Sequence, residues 1–164
     1  MTRKVSIGKI GKPHGLKGYA YVHLNEYIKS FDFKDMQVKI SGEHLYIYEV
    51  KKHLKNRNLI KLKKIDTIDQ VNIYRNQNIL ANTKNFIDLN IDLPWPEILL
   101  NESIANNDNS QITLVNYHVS NLQTVLEIKV ANLTYLVPYV VSNFIFENES
   151  LIMVNSLTVY NPVE

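Results

Sequence analysis

The fold of this chain is decided by the stretch IGKIGKPHGLKGYAYV, residues 7–22. It holds four of the five glycines of the chain, and no glycine occurs in the 122 residues after Gly42. Glycine is needed where the backbone takes a positive φ or where another group approaches the main chain closely. Apolar side chains alternate with other residues on both flanks, at Val5 and Ile7 before the glycines and along Tyr19–Val22 after them. The stretch therefore predicts two strands joined by a glycine-rich turn.

The spacing of these glycines excludes the common phosphate-binding loops. Successive glycines are three, four and three residues apart, which fits neither G-x-G-x-x-G nor G-x-x-x-x-G-K-[ST]. Two interpretations stay open: the turn is a contact surface, or its glycines only let a small barrel bend at its corners. The basic side chains around it are candidates for contact with a polyanion: Lys9, Lys12, His14 and Lys17.

Charge is divided sharply between the two halves of the chain. Residues 1–84 hold 17 Lys and Arg against 7 Asp and Glu, a net charge of +10, whereas residues 85–164 hold one lysine, Lys129, against 9 acids, a net charge of −8. Such asymmetry indicates a polyanionic partner for the basic half and a neutral or basic partner for the acidic half. The alternative is that the lysines only keep the surface solvated.

The basic half, residues 1–83, is predicted to be a small closed barrel with one short helix. Short alternating runs separated by turn signals are typical of such a barrel. The helix is expected near residues 67–75, because Thr67 and Gln70 have the spacing of a capping box. After the first two strands, the runs expected to be strands are Val38–Ile40, Leu45–Val50, Leu59–Leu62 and Ile79–Leu80.

Two prolines flank the only tryptophan within residues 84–97, and this segment is predicted to be a linker with a docked aromatic side chain. Residues 98–164 then read as short strands with asparagine-rich turns, which predicts a second small β-barrel or sandwich. The expected strands are Ile112–Val115, Val125–Val130, Leu133–Val137, Val140–Phe146 and Leu151–Val154, with a helical turn near residues 141–143. The fold class expected is thus all-β, with two small barrels and a short linker.

Composition excludes several classes of site. Cysteine is absent, so the chain has no disulfide, thiolate metal site or catalytic thiol. No window approaches the ~20 apolar residues of a membrane-spanning helix, and no signal peptide is evident, so we expect a cytoplasmic protein with no membrane partner. The histidines lack metal-ligand spacing, and we expect neither a metal nor another cofactor. An RNA-modifying or RNA-cleaving enzyme that uses His14 and His23 stays a less favoured alternative.

With these residues in view, the chain resembles the RimM family of bacterial ribosome maturation factors. Members have an early signature, G-x-I-x-x-x-H-G-[LI]-[KR]-G-[EY]-x-x-V, which is filled here by Gly8, Ile10, His14, Gly15, Leu16, Lys17, Gly18 and Val22. Weaker similarities follow at Lys51-Lys52-His53, at Ile60-Lys61-Leu62 with Ile73-Tyr74-Arg75, and at Leu136-Val137-Pro138-Tyr139-Val140. The similarity extends along the whole chain and is strongest over residues 5–24.

The resemblance implies an N-terminal RimM-type barrel and a C-terminal PRC-barrel. It also implies an assembly factor that is not an enzyme and that promotes head assembly and rRNA processing by binding the assembling small (30S) ribosomal subunit. The expected partners are a ribosomal protein of the subunit head, the nineteenth small-subunit protein, and the adjacent 16S rRNA. We expect a monomer. A general two-barrel RNA-binding module is the alternative, but such a module has no reason to carry the glycine signature.

Candidate site residues follow from the resemblance and from the charge pattern. The family segment Glu-Tyr-Tyr-Trp, tied to ribosomal-protein binding, corresponds here to Asp92-Leu93-Pro94-Trp95, so the candidate protein contacts are Asp92, Leu93 and Trp95. Further lysines form either a phosphate track or a solvated face: Lys51, Lys52, Lys61 and Lys63. Tyrosines that could stack on bases or pack in the barrel are Tyr19, Tyr21, Tyr46 and Tyr48. The residues with an expected structural role are Gly8, Gly15, Leu16, Gly18 and Pro138.

Overall fold

The chain folds as two units in the computed structural model, which describes residues 3–87 and 92–164. One unit holds the described residues up to Asn85, and the other holds those from Phe86 to Glu164. The segment predicted as a linker includes residues 88–91, which lie outside the described residues. No helix of the described chain has the length and apolar character needed to cross a membrane.

The first unit is a barrel of six strands. They are β1 Lys4–His14, β2 Tyr19–Leu24, β3 Gln37–Ile40, β4 Glu43–His53, β5 Arg57–Leu62 and β6 Asn78–Asn82. The strands pair antiparallel in the order β1-β2-β5-β4-β3-β6, and β6 pairs with β1 to close the barrel. The closed barrel predicted for the basic half is therefore confirmed.

The barrel core is built from the inward-facing residues of these strands. Ala20 on β2 lies opposite Ile60 on β5, and both are fully buried. Ile7, Ile47 and Ile79 are also fully buried and come from three further strands. Because side chains alternate along a strand, the residues between these positions form the outer face of the barrel.

The predicted hairpin is present, but its turn is shorter than the glycine spacing suggested. Strand β1 continues through Gly8 and Gly11 to His14, and only residues 15–18 connect it to β2. The ladders of β1 shift register near Gly8 and again between Ile10 and Pro13. Such bulges bend a strand without ending it, so two of the four glycines serve the bend and two serve the turn.

The predicted helix is confirmed as α1, Ile68–Asn72. The Thr67 hydroxyl accepts a hydrogen bond from the Gln70 backbone N–H, and the Gln70 side chain accepts one from the Thr67 N–H. This is the expected capping box. The helix ends earlier than residue 75, and Asn76 takes a φ of +64° that returns the chain to β1.

The second unit contains a seven-stranded sheet. Its strands are β7 Ser103–Asn106, β8 Ile112–Val119, β9 Thr124–Val130, β10 Leu133–Pro138, β11 Phe144–Glu147, β12 Ser150–Met153 and β13 Pro162–Val163. The order is β11-β12-β7-β8-β9-β10-β13, and only the pair β7 and β12 is parallel within the described residues. The second unit, predicted as a small barrel or sandwich, forms one seven-stranded sheet. The all-β fold class is confirmed.

Two details of the second unit differ from the sequence-based expectation. The strand expected over Val140–Phe146 begins only at Phe144, because residues 141–143 form the turn that was also predicted there, closed by the bond from the Phe144 N–H to the Val140 carbonyl. The second difference is that strands β7 and β13 were not predicted, because their sequences show no alternation of apolar and polar residues. They are four and two residues long, too short to show alternation.

The described residues of the predicted linker belong to the second unit from Phe86 onward. A short helix, α2, covers Lys84–Ile87, and a 3₁₀ helix begins at Pro96 and ends at Leu99. Proline suits a first helical position, where its missing N–H is not needed. Trp95 is 1 % exposed, and its ring centroid lies 5.5 Å from that of Phe86. The tryptophan is therefore a core residue of this unit.

Candidate nucleic-acid interface

Three aromatic rings meet on the outer face of the barrel. His14 ends β1, Tyr21 lies in β2 and His53 ends β4. The ring centroids are 5.3 Å apart for His14 and Tyr21, 4.6 Å for His14 and His53, and 5.9 Å for Tyr21 and His53. The Tyr21 hydroxyl also lies 3.2 Å from His14 Nδ1. We call these three residues the ring cluster.

Strand register places the ring cluster outside the barrel. Since Ala20 and Ile60 face inward, Tyr21 and the residue opposite it, Leu59, face outward. Leu59 is nevertheless only 2 % exposed. The outer face therefore has a buried apolar residue directly opposite Tyr21, and the three rings of the cluster are half-buried.

Cationic side chains lie over two tyrosine rings of β2, of which only Tyr21 belongs to the ring cluster. The Arg57 guanidinium carbon lies 4.8 Å from the Tyr21 ring centroid, and Lys51 Nζ lies 4.2 Å from that of Tyr19. The Tyr19 hydroxyl donates to the Glu49 carboxylate. This hydrogen bond, followed by burial, raises the pKa of Tyr19 to about 12, so the phenol stays neutral beside Lys51.

A cleft of about 560 Å³ adjoins the ring cluster: it is lined by Tyr21 of the cluster and by Arg57, which lies over the Tyr21 ring. Four Lys and Arg side chains line the cleft, against one acid, Glu26. Lys29 forms an ion pair with Glu26. The other three cations, Lys12, Arg57 and Arg75, have no carboxylate partner among residues 3–87 and 92–164. The cleft is therefore a concave surface with unbalanced positive charge.

Backbone features bring these cations together. The Asn76 N–H donates to the Ile10 carbonyl at 2.8 Å, and the Ile10 N–H donates to the Gln77 carbonyl at 3.0 Å. These bonds hold Arg75, at the exit of α1, next to the β1 segment that carries Lys12. Gly11 lines the cleft as well, and a Cβ there would lie 3.2 Å from Tyr21 Cβ. A larger residue would crowd Tyr21, so this glycine shapes the cleft.

The sequence-predicted basic residues separate into three groups. Lys12 lines the cleft, His14 belongs to the ring cluster, and Lys51 lies over Tyr19, which is on the same strand as Tyr21. Lys9, Lys17 and Lys52 are exposed.

Two further lysines are engaged in holding the barrel's own turns. Lys61 Nζ donates to the Ile65 carbonyl and lies 2.9 Å from the Asp66 carboxylate. Lys63 Nζ lies 2.5 Å from the Asp35 carboxylate, and this hydrogen bond lowers the pKa of Asp35. Both lysines therefore bind groups of the barrel itself, and neither lines the cleft.

The structural residues of the signature have different local roles. A Cβ at Gly8 would lie 2.4 Å from the His23 carbonyl oxygen, and one at Gly18 would lie 2.2 Å from the Ile65 carbonyl oxygen. Gly15 has open space around it and a φ of +67°. Leu16 is 79 % exposed at the tip of the turn.

The candidate protein contacts lie in the second unit and differ in exposure. Asp92 is exposed, Leu93 is half-buried and Trp95 is buried. The Pro94 carbonyl accepts a hydrogen bond of 2.8 Å from the Tyr139 hydroxyl. Pro138, just before that tyrosine, ends β10 opposite Val125. The predicted Pro138 position and the Pro-Trp segment therefore meet through Tyr139.

Sequence reasoning did not place Arg57, Arg75 or Lys29 among the candidate contacts. Arg57 opens β5 within the basic run of residues 51–64, and its place in that run was the detectable signal. Arg75 and Lys29 carry no such local signal, because tertiary packing alone brings them to the cleft. Within the described ranges, no group of three or more His, Cys, Asp or Glu side chains could hold a metal ion.

Comparison with known proteins agrees with the sequence signature. The family model for the RimM N-terminal domain matches residues 5–86. The ribosome maturation factor RimM of Clostridium botulinum (strain Alaska E43 / Type E3) is 32% identical over 113 residues, which cover 68% of this chain and 67% of that protein.

Two solved structures also match this chain. A putative 16S ribosomal RNA processing protein RimM from Pseudomonas aeruginosa matches with a TM-score of 0.42 and 13% identity, covering 95% of this chain and 99% of that one. The N-terminal domain of RimM from Thermus thermophilus matches with a TM-score of 0.43 and 17% identity, covering 50% of this chain and 92% of that one. The assignment rests on the two sequence matches, and on these the chain belongs to the RimM family of ribosome maturation factors.

Proposed function

We propose that this protein is a ribosome maturation factor that acts by binding the assembling small ribosomal subunit, without catalysis and in the cytoplasm. The observation that carries the proposal is the cleft on the first barrel, where three cations lack a carboxylate partner among the described residues. Unbalanced Lys and Arg on a concave surface favour phosphate, because each neutralised phosphate releases counterions. The proposed contact is the 16S rRNA of the subunit head.

The second unit is proposed to contact the head ribosomal protein, the nineteenth of the small subunit. The net charge of −8 on residues 85–164 supports this proposal, because it complements the basic surface typical of a protein that binds rRNA. Complementary charge raises the rate of encounter more than the affinity. Asp92 and Leu93 would contact the partner directly, and the buried Trp95 would hold this segment in place.

The binding mode is tested by retention of maturing small subunits on the immobilised full-length protein at low and raised salt. We expect retention to fall with salt, and each of Lys12→Gln, Arg57→Gln and Arg75→Gln to lower the log–log salt slope by ~0.7–0.9 for each phosphate that it no longer neutralises. Lys34→Gln is the matched control, because Lys34 is exposed on the same barrel but does not line the cleft. Retention that is independent of salt, or cleft variants that equal the control, would contradict the proposal.

The partner of the second unit needs its own measurement. Asp92→Asn should slow association with the purified head ribosomal protein at low salt and leave dissociation nearly unchanged. Accumulation of unprocessed rRNA in cells that lack the protein tests the cellular role, and unchanged processing would refute it.

A further inference from the structure

We propose that the ring cluster of His14, Tyr21 and His53 is a stacking site for an unpaired RNA base. On this proposal the protein selects single-stranded or looped RNA over a duplex. The inference rests on the proposed function, because it specifies how the same basic surface recognises RNA.

The first argument is the position of the rings. They lie outside the barrel, where packing of the interior does not require them, and come from three different strands. Their centroids lie 4.6 to 5.9 Å apart at interplanar angles of 61° to 68°, so the three rings pack edge to face, and the buried Leu59 lies opposite Tyr21 in the strand register. All three residues stay half-buried, so part of each remains open to a ligand.

The second argument is the chemistry that surrounds the rings. An aromatic cluster that binds an apolar partner would have apolar residues at its border, but the cation at the border of this cluster is Arg57, whose guanidinium lies over the Tyr21 ring. Proteins that bind single strands combine stacking rings with a cationic path for the backbone. The charge of the border therefore points to a ligand that is both aromatic and anionic.

The third argument is continuity between the ring cluster and the cleft. Tyr21 belongs to both, and Arg57, which lies over the Tyr21 ring, also lines the cleft. A base on the rings would therefore have its phosphates near the cleft cations Lys12 and Arg75. The cleft volume of about 560 Å³ falls in the ~300–1,000 Å³ range of sites for small ligands. A duplex keeps its bases stacked on one another, so only an unpaired nucleotide can use both surfaces.

The test compares binding of the full-length protein to an RNA stem-loop and to a fully paired duplex of equal charge, by fluorescence anisotropy. We expect tighter binding of the stem-loop by the wild type. Tyr21→Leu should weaken stem-loop binding by about tenfold, in the range for loss of one base–aromatic stack, and leave duplex binding unchanged. Its salt slope should stay that of the wild type, because stacking releases no counterions.

Matched variants separate stacking from folding. Tyr21→Phe keeps the ring and loses only the hydroxyl that lies 3.2 Å from His14 Nδ1, so it should retain most of the stem-loop affinity that Tyr21→Leu loses. His53→Leu repeats the test at a second ring if Tyr21→Leu fails to fold. Tyr46→Leu is the control, because Tyr46 is 47% exposed and has Lys63 Nζ 5.9 Å from its ring centroid, but lies outside the ring cluster and the cleft. A fluorescent 2-aminopurine placed in the loop should be quenched by the wild type and by Tyr21→Phe, and not by Tyr21→Leu.

Equal binding of duplex and stem-loop by the wild type, or equal losses on both RNAs for Tyr21→Leu, would overturn the stacking site. If either result is found but the immobilised protein still retains maturing subunits, the stacking site is refuted and the proposed function is supported. A wild type that discriminates loops through Tyr21 but does not retain maturing subunits would refute the proposed function and support the stacking site.

Discussion

A methyl group added at Gly18 would lie 2.2 Å from the carbonyl oxygen of Ile65 and 2.8 Å from its carbonyl carbon. Both are main-chain atoms, so a side-chain rotation cannot relieve the overlap. Lys61 also donates to this carbonyl, which ties the turn in place. Gly18→Ala therefore tests whether the signature glycine is required by the shape of the barrel.

The expected cost has two parts. Gly18 has a φ of +79°, and the left-handed conformation costs an L-residue about 1–2 kcal/mol. Forcing an extra atom into a packed site costs about 1–3 kcal/mol more, through displacement of the backbone. We expect Gly18→Ala to lower the free energy of unfolding by about 2–5 kcal/mol, against the ~5–15 kcal/mol of a typical protein.

Gly15→Ala is the matched control. Gly15 lies in the same turn with a φ of +67°, but nothing lies within 4 Å of its added Cβ. Its cost should be the conformational part alone, about 1–2 kcal/mol. The difference between the two variants isolates the close approach to Ile65.

Equilibrium urea unfolding followed by far-UV circular dichroism gives the two free energies. Amide hydrogen exchange along β1 and β2 assigns the loss to the barrel, because the only tryptophan, Trp95, belongs to the other unit. Losses that agree within ~0.5 kcal/mol would refute the close-approach argument, since such a difference is within the error of comparing sites.

Three further changes test other parts of the structure. Trp95→Ala should remove about 3–5 kcal/mol from the second unit, because it empties a fully buried site beside Phe86; urea unfolding followed by circular dichroism measures the loss, and a change below ~1 kcal/mol would contradict the burial. Thr67→Ala should cost about 1 kcal/mol by removing the capping box, with no change in RNA affinity. The Glu49 bond and burial raise the pKa of Tyr19 from 10.0 to about 12, so this stabilisation is complete below pH 10 and is lost as pH rises toward 12. Wild-type stability should therefore fall more steeply than that of Tyr19→Phe across this window, and parallel curves would show that the bond to Glu49 has no such effect.

Local patterns in the sequence were sufficient to predict the first barrel and its first hairpin. Alternation marks strands because successive side chains face opposite sides, and the Thr67 and Gln70 spacing marks a helix start because one turn brings them together. The same logic failed where elements are short, as at β7 and β13. Sequence reasoning also overestimated the length of the glycine-rich turn. The bulges inside β1 depend on its pairing with β2 and β6, which the sequence of β1 alone does not show.

The candidate contact residues stay predictions, but the structure shows where each one lies. Lys12 and His14, selected from charge and the signature, lie in the cleft and in the ring cluster, whereas Lys51 lies over Tyr19 outside both. Lys61 and Lys63 carry the same charge but are bound to carbonyl and carboxylate groups of nearby turns. Sequence spacing cannot distinguish a lysine that faces solvent from one that secures a turn, because the partner atoms come from elsewhere in the fold.

The sequence by itself determined the basic and acidic halves, the glycine signature with its family, and the all-β class, because each depends on composition or on residues close along the chain. Only the tertiary structure decided which side chains share a surface. His14, Tyr21 and His53 meet because their three strands belong to one barrel with a fixed register. Arg75 lines the same cleft as Lys12 because the Asn76 N–H donates a hydrogen bond to the Ile10 carbonyl of β1. The same packing buries Trp95, whose neighbour Phe86 is nine residues away in the chain. Such contacts are products of strand pairing and chain reversal, and no local pattern encodes them.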